Sequence, residues 1–372
     1  MVAELDPVDR LLLDELGEVP SGRVVVLGDE TGALARALVE RAVPPTPQDP
    51  RVLRSPAGAS TLQDPRVLQS WAGAGEQVVA HSDSLVAERQ VAQALAGAAG
   101  GGEVVPDLAE ALTGAALVVL RLPKSLDALD EIARTAALLG TADVRLVAGG
   151  RVKHMTPSMN DVLGASFEQV HASLGRQKSR VLHAAGQRTV EQVWPKQRHH
   201  ADLDLTIHAH GAAFAGTRVD AGTRLLLGQL DRLTETHGTV VDLGCGTGVL
   251  ASVLARRFDD VVAIDVSAAA VASARLTTAG AVDVRRGDGL TDLADASVAT
   301  IVSNPPFHVG TAKDSTPTLA MIADAKRVLR PGGELVLVYN SHLPYLPRLR
   351  EVGPTEILAR DRSYLVTRTV RS

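Results

Sequence analysis

The stretch Val241-Asp242-Leu243-Gly244-Cys245-Gly246-Thr247-Gly248-Val249-Leu250-Ala251 carries three successive local instructions. The apolar run that closes on Leu243 has the length and character of a strand buried on both faces. Glycines at alternate positions 244, 246 and 248 permit a tight turn and a close approach of a ligand to the backbone. Val249, Leu250, Val253 and Leu254 then recur at helical spacing, so a helix starts where the turn ends. Its N-terminus points at whatever the turn holds. Asp265 ends the next apolar run, about 20 residues beyond the loop, where an acid binding ribose hydroxyls would stand.

The same pattern occurs earlier in the chain. Val25-Val26-Leu27-Gly28-Asp29-Glu30-Thr31-Gly32-Ala33-Leu34-Ala35 lies parallel to the loop above. Val78 to Ser84 matches Val261 to Ser267, and Leu117 to Pro123 matches Thr300 to Pro306, in the same order. Two copies of one α/β fold in tandem follow, each a doubly wound, mostly parallel sheet. The copies differ where chemistry would reside. Val26 replaces Asp242, Glu30 replaces Gly246, Ser82 replaces Asp265 and Arg121 stands in place of Asn304. The N-terminal copy is therefore expected to keep the fold and lack the site.

The expected organisation is a degenerate domain over 1–188, a linker over 189–200 and a working domain over 201–372. Pro44 to Gly75, rich in Pro, Gly, Ser and Gln, repeats Gln48–Leu53 at Gln63–Leu68. It reads as an exposed, mobile insertion at 44–75.

Composition bounds the function. A chain of 372 residues is too long for one ordinary core. Aromatics are only 2%, so the cores must be built from Val, Leu, Ala and Ile. No apolar run is long enough to cross a bilayer. The segment Met1 to Leu16 is acidic and helical in pattern, unlike a signal peptide. The lone Cys245 excludes internal disulfides and a cysteine-cluster metal site. A soluble cytoplasmic monomer, without metal or membrane, is the expectation. Net charge is −5, which argues against a nucleic-acid partner. Its distribution argues the other way. Between Arg145 and His200 stand nine Lys/Arg, among them Lys153, Arg176, Lys178, Arg180, Lys196 and Arg198, against Asp161, Glu168 and Glu191. Such a run is either a solvated face with a linker or a grip on phosphates.

Asn304-Pro305-Pro306-Phe307 closes a further strand, Ala299 to Ser303. After such a glycine loop it resembles the Asn-Pro-Pro-aromatic signature of amino-group methyltransferases. The loop and Asp265 alone leave a methyl donor and a dinucleotide both open; this signature separates them. An exocyclic amine on a base is a poor nucleophile, because its lone pair is delocalised into the ring. The Asn304 side-chain carbonyl and the Pro305 backbone carbonyl can accept its two N–H bonds. That aligns the amine and supports positive charge developing on nitrogen. Phe307 can stack on the base. Asp288, in Gly287-Asp288-Gly289, suits an adenine amino group or a turn cap. Cys245 lies in the donor loop and is no nucleophile candidate. His208 and His210 are expected on one face of a short strand, packing there or touching phosphate rather than binding zinc. His308 faces substrate or packs a turn.

Taken together, the chain resembles the ribosomal-RNA guanine-N2 methyltransferases. The resemblance rests on Asn304 to His308, Ile207 to Phe214, Val219 to Thr223, Leu335 to Tyr345, Asp9 to Leu16 and Leu122 to Ser125. It spans nearly the whole chain except Pro44 to Gly75. The N-terminal pattern is closer to the 23S rRNA branch than to the 16S rRNA one. The resemblance implies two tandem Rossmann-like class I methyltransferase domains, the N-terminal one degenerate, and S-adenosyl-L-methionine as cofactor. It implies that Phe214, Asp220, Gly222 and Thr223 line the methionine end of the donor pocket. Asp242, Gly244, Gly246, Gly248, Asp265, Asp288 and Asn304 would hold the remainder. Asn304, Pro305 and Phe307 would be catalytic. Phe307, His308, Lys153, Arg176, Lys178, Arg180, Lys196 and Arg198 would meet RNA, 23S rRNA or a pre-ribosomal particle. Ala215 stands where the family often has Ser, and Val219 where it has Leu. The rival readings are a 16S rRNA enzyme, an adenine-N6 or protein-glutamine methyltransferase, a non-catalytic RNA-binding assembly factor and, more distantly, a dehydrogenase.

Overall fold

The computed structural model describes residues 4–17, 22–42, 77–98, 100–234, 237–305 and 316–372. The insertion expected at 44–75 lies outside these residues. The chain divides into two units, Met1–Trp194 and Pro195–Ser372, and each is taken by itself.

The first unit runs α1 (Pro7–Glu15), β1 (Arg23–Leu27), α2 (Ala33–Ala42), β2 (Val78–His81), α3 (Leu85–Ala96), β3 (Glu103–Val104), α4 (Leu108–Leu112), β4 (Ala115–Arg121), α5 (Leu126–Leu139), β5 (Arg145–Arg151), α6 (Ser158–Ser166), β6 (Phe167–Ala172) and β7 (Ser179–Gln187). Its seven strands lie in the order β3-β2-β1-β4-β5-β7-β6. The first five are parallel, and β7 is antiparallel to both neighbours. The strands are the near-continuous Val/Leu/Ala runs of a sheet covered on both faces. Alternation then sorts each strand between two cores. Val24 and Val26 face a layer with Leu12, Leu34 and Val91, whereas Val25 and Leu27 face one with Leu112, Leu129 and Ala133.

The second unit opens with an antiparallel pair, β8 (Lys196–His200) and β9 (Leu205–Ala209). Then come α7 (Ala221–Leu227), β10 (Val240–Leu243), α8 (Val249–Leu254), β11 (Val261–Asp265), α9 (Ala268–Thr278), β12 (Asp283–Arg286), β13 (Val298–Ser303), α10 (Thr316–Val328), β14 (Leu329–Asn340), α11 (Leu346–Val352), β15 (Thr355–Arg360) and β16 (Tyr364–Val370). Its large sheet runs β12-β11-β10-β13-β14-β16-β15, the connection pattern of the first unit repeated strand for strand. The fold is two tandem Rossmann-like α/β units. Among the described residues no helix is long and apolar enough to cross a membrane.

Two sequence expectations need correction. Residues 196–200, assigned to a linker, form β8, because each pairs with a residue of β9. His208 and His210 do not share a strand face. His210 lies past the end of β9, and both residues use backbone N–H groups to dock the hairpin. His208 N donates to Thr277 Oγ1 at 3.0 Å and His210 N to Ser273 Oγ at 2.9 Å, both on α9.

In the first unit an ion-paired cluster stands at the position that Asn304 takes in the second. Arg121, at the end of β4, donates to Asp9 Oδ1 at 2.5 Å and Asp6 Oδ2 at 2.9 Å. Asp9 is only 2% exposed. An uncompensated buried carboxylate is costly, so Arg121→Ala should destabilise this unit by about 3 kcal/mol. Urea unfolding of the full chain would show this unit's transition shifted to lower urea. An unshifted midpoint would show that the pair contributes nothing.

Candidate active site

Glycines 244, 246 and 248 all hold positive φ, at 72°, 53° and 80°, a conformation that only glycine adopts without strain. Their surroundings separate their roles. A Cβ built at Gly244 or Gly246 would meet no atom within 4 Å, whereas at Gly248 it would lie 3.0 Å from Ala274 of α9. Gly32, its counterpart in the first unit, is closed in the same way by Ala94 of α3. The third glycine is therefore a helix-packing device kept in both units. The first two leave an open backbone cradle at the N-terminus of α8, and only the second unit has it.

Two carboxylates brace this loop. Asp265, ending β11, accepts from Gly246 N and Ser267 N, each at 2.9 Å. Asp242, wholly buried on β10, accepts from Ala251 N at 2.8 Å and so caps α8 from inside the sheet. Its other oxygen has no hydrogen-bond partner. Burial pushes its pKa up to about 7, and the neighbouring Asp265 adds to the rise. In the first unit Val26 occupies this position, and Asp29 has taken over the cap by accepting from Ala35 N at 2.9 Å. Burial, with Asp242 and Asp265 nearby, also pushes the Cys245 thiol up. A protonated, buried thiol is inert.

Asn304 follows β13. Its Nδ2 donates to Thr223 Oγ1 at 2.9 Å and Asp220 Oδ2 at 3.1 Å. Its Oδ1 is buried and without a partner. Asp220 is the N-cap of α7, accepting from Gly222 N at 2.9 Å and Thr223 N at 3.3 Å. A side chain at Gly222 would strike the Asp220 carboxylate at 3.1 Å and the Tyr364 ring at 3.2 Å.

A cleft runs between these elements. Among the predicted residues it brings together Phe214, Asp220, Thr223, Gly244, Gly246 and Asn304. Phe214 is 67% exposed there, a large aromatic held open to solvent. Gly222, Asp242 and Gly248 stand behind the lining as supports. Asp265, the last residue of β11, and Asp288, beyond the end of β12, do not line this part of the cleft. Pro305 is buried. Pro306, Phe307 and His308 lie outside the described residues. Arg218, Ala215 and Thr247 also line the cleft and were not anticipated. Ala215 takes φ 61° between Phe214 and Gly216.

The six basic candidates divide between the units. Lys153 sits in a 3₁₀ turn, Val152–His154. Arg176 is paired with Asp14, Lys178 holds φ 61° at the hairpin turn, and Arg180 is on β7. Lys196 and Arg198 are on β8 of the second unit. All six are exposed.

The Streptomyces griseus ribosomal RNA large subunit methyltransferase G is 32% identical to this chain over 98% of it and 93% of that protein. The chain belongs to the family of ribosomal RNA methyltransferases that holds large subunit methyltransferase G and small subunit methyltransferase C. The Streptomyces coelicolor methyltransferase G is 35% identical over 68% of this chain and 72% of its own length. A Pseudomonas aeruginosa ribosomal RNA small subunit methyltransferase C is 42% identical, over 46% of this chain and 53% of its own. The Methyltransferase small domain model matches residues 204–368, and the RLMG N-terminal domain model matches 67–188. A solved structure of the T. thermophilus 16S rRNA N2 methyltransferase RsmC, in complex with AdoMet and guanosine, aligns with a TM-score of 0.71. It is 23% identical and covers 99% of this chain and 92% of its own, a likeness of fold. Members of this family depend on S-adenosylmethionine, and the open glycine cradle and the exposed Phe214 fit that group.

Proposed function

We propose that this chain methylates the exocyclic N2 amine of a guanine in ribosomal RNA, with 23S rRNA the substrate. The observation that carries the reading is Asn304. Its amide hydrogens are both engaged, and its buried Oδ1 is left without a partner in a residue that lines the cleft. Leaving such an oxygen unsatisfied is costly, so a donor in the bound state is the natural completion.

Bound S-adenosylmethionine supplies an electrophilic methyl group on a sulfonium sulfur. Gly244, Gly246 and Phe214 are the residues to hold it, while Asp220 and Thr223 bond to Asn304. Asn304 Oδ1 accepts one N–H of the target amine, and the backbone carbonyl of Pro305 accepts the other. Together they fix the nitrogen lone pair in line and stabilise the charge that develops on it. No strong base is needed, because the methylated nitrogen is acidic and releases its proton. Lys153, Lys178, Arg180, Lys196 and Arg198 contribute phosphate contacts, so affinity should fall steeply with salt.

The first unit favours 23S over 16S rRNA. The methyltransferase G relative spans both units, and the RLMG N-terminal model matches the first. The methyltransferase C relatives match less than half of the chain. Labelled methyl transfer from S-adenosylmethionine to unmodified 23S and 16S rRNA in parallel, followed by nucleoside analysis, tests the reading. N2-methylguanosine from 23S rRNA alone is the expected result. Label in 16S rRNA, in adenine or in a protein amide would replace it with the corresponding rival.

A further inference from the structure

We propose that Asp220 and Thr223 are positioning residues that lock the Asn304 amide with its oxygen toward the substrate. The inference rests on the reading that Asn304 accepts the target amine, and it names what makes that possible. A primary amide can flip, and the two orientations present opposite chemistry: a carbonyl accepts the amine N–H, whereas an NH2 group opposes it. Here the choice is dictated by the partners. Asp220 is a carboxylate and can only accept; turning the amide over would set oxygen against oxygen. With Nδ2 bonded to both Asp220 Oδ2 and Thr223 Oγ1, both amide hydrogens are used and Oδ1 faces away as the free acceptor.

The first unit contains the same clamp in different chemistry. Asp6 is the N-cap of α1 and accepts from Val8 N and Asp9 N, as Asp220 accepts from Gly222 N and Thr223 N. Arg121, ending β4, bonds to Asp6 and Asp9, as Asn304, following β13, bonds to Asp220 and Thr223. The three positions correspond one for one: Asp6 to Asp220, Asp9 to Thr223, Arg121 to Asn304. Where the strand ends in a guanidinium, the third position is an acid. Where it ends in a neutral amide, the third position is a hydroxyl, which accepts without adding a second negative charge. Gly222 keeps the clamp free of obstruction, since a side chain there would collide with the Asp220 carboxylate.

The test is Thr223→Val, which keeps the shape and removes the acceptor, with Thr223→Ala as a second variant should the valine fold poorly. Both are assayed as full chains with S-adenosylmethionine and unmodified 23S rRNA, beside titration with S-adenosylhomocysteine. We expect kcat to fall roughly tenfold while S-adenosylhomocysteine affinity and rRNA KM stay within about twofold. Thr223→Ser should restore kcat, because it returns the hydroxyl. Unchanged kcat in Thr223→Val, a loss carried by weaker S-adenosylhomocysteine binding, or no rescue by serine would each overturn the clamp. Asn304→Ala in the same assay separates the two levels. Should it turn over normally, the underlying reading of Asn304 fails. Should it be inactive while Thr223→Val is normal, only the clamp fails.

Discussion

Asn304→Ala should lose at least about a thousandfold in turnover, the order of effect expected when a preorganised group at developing charge is removed. The donor should still bind within about threefold of the parent chain. The open cradle belongs to Gly244 and Gly246, and the brace on Gly246 comes from Asp265; none of these depends on the amide. Alanine removes the oxygen that meets the amine and leaves Asp220 and Thr223 to be solvated in the cleft. Calorimetric titration of S-adenosylhomocysteine, paired with single-turnover methyl transfer, measures the two quantities separately. Equal turnover in the two proteins would remove Asn304 from the chemistry.

Asp242→Asn should stabilise the second unit, by an amount that grows with pH. The folded state holds this carboxyl at a pKa of about 7, against an unfolded value near 4. Below about pH 4 the group is protonated in both states and costs nothing. From there the unfolded chain ionises first, and the folded state loses stability steadily until the cost levels off above about pH 7, at roughly 4 kcal/mol. Asparagine keeps the oxygen that caps Ala251 N and cannot ionise. Its advantage should therefore widen by roughly 2–3 kcal/mol between pH 5 and pH 8, read from urea unfolding at the two values. A pH-independent difference would show that Asp242 stays ionised in the fold.

Much of the architecture was legible in the sequence because the strands are buried on both faces and appear as uninterrupted apolar runs. The pairing of Val24–Leu27 with Val78–His81 and of Val240–Leu243 with Val261–Ile264 joins the segments aligned as repeats. The glycine loop was legible for the same reason: alternate glycines have few local explanations. What escaped was contact across long sequence separations. Nothing local marks Asp220 and Asn304 as partners 84 residues apart. The one clue was the duplication itself, where Arg121 standing for Asn304 demands acids nearby, and Asp6 and Asp9 were available to find. Gly248 was misleading for a different reason. Periodicity put it among the ligand glycines, but only its neighbour Ala274 shows that it serves packing. The β8 strand was hidden because Lys196–His200 is polar throughout, as an exposed two-stranded pair can be.

The Arg121 pair also bears on how the two halves of such a chain can diverge. Suppose the first unit were handed back the residue it lacks, by changing Arg121 to asparagine. The nearly buried Asp9 and its neighbour Asp6 would then face a neutral amide instead of a guanidinium. Restoring one functional residue would thus first weaken the unit, and only a further exchange at position 9 would relieve it. Val26 and Asp29 form a second interlocked exchange, since the helix cap has already moved from one to the other. At these two positions the first unit is held by an epistatic ratchet: Arg121 is interlocked with Asp6 and Asp9, and Val26 with Asp29, so that reverting either alone leaves its partner unmatched.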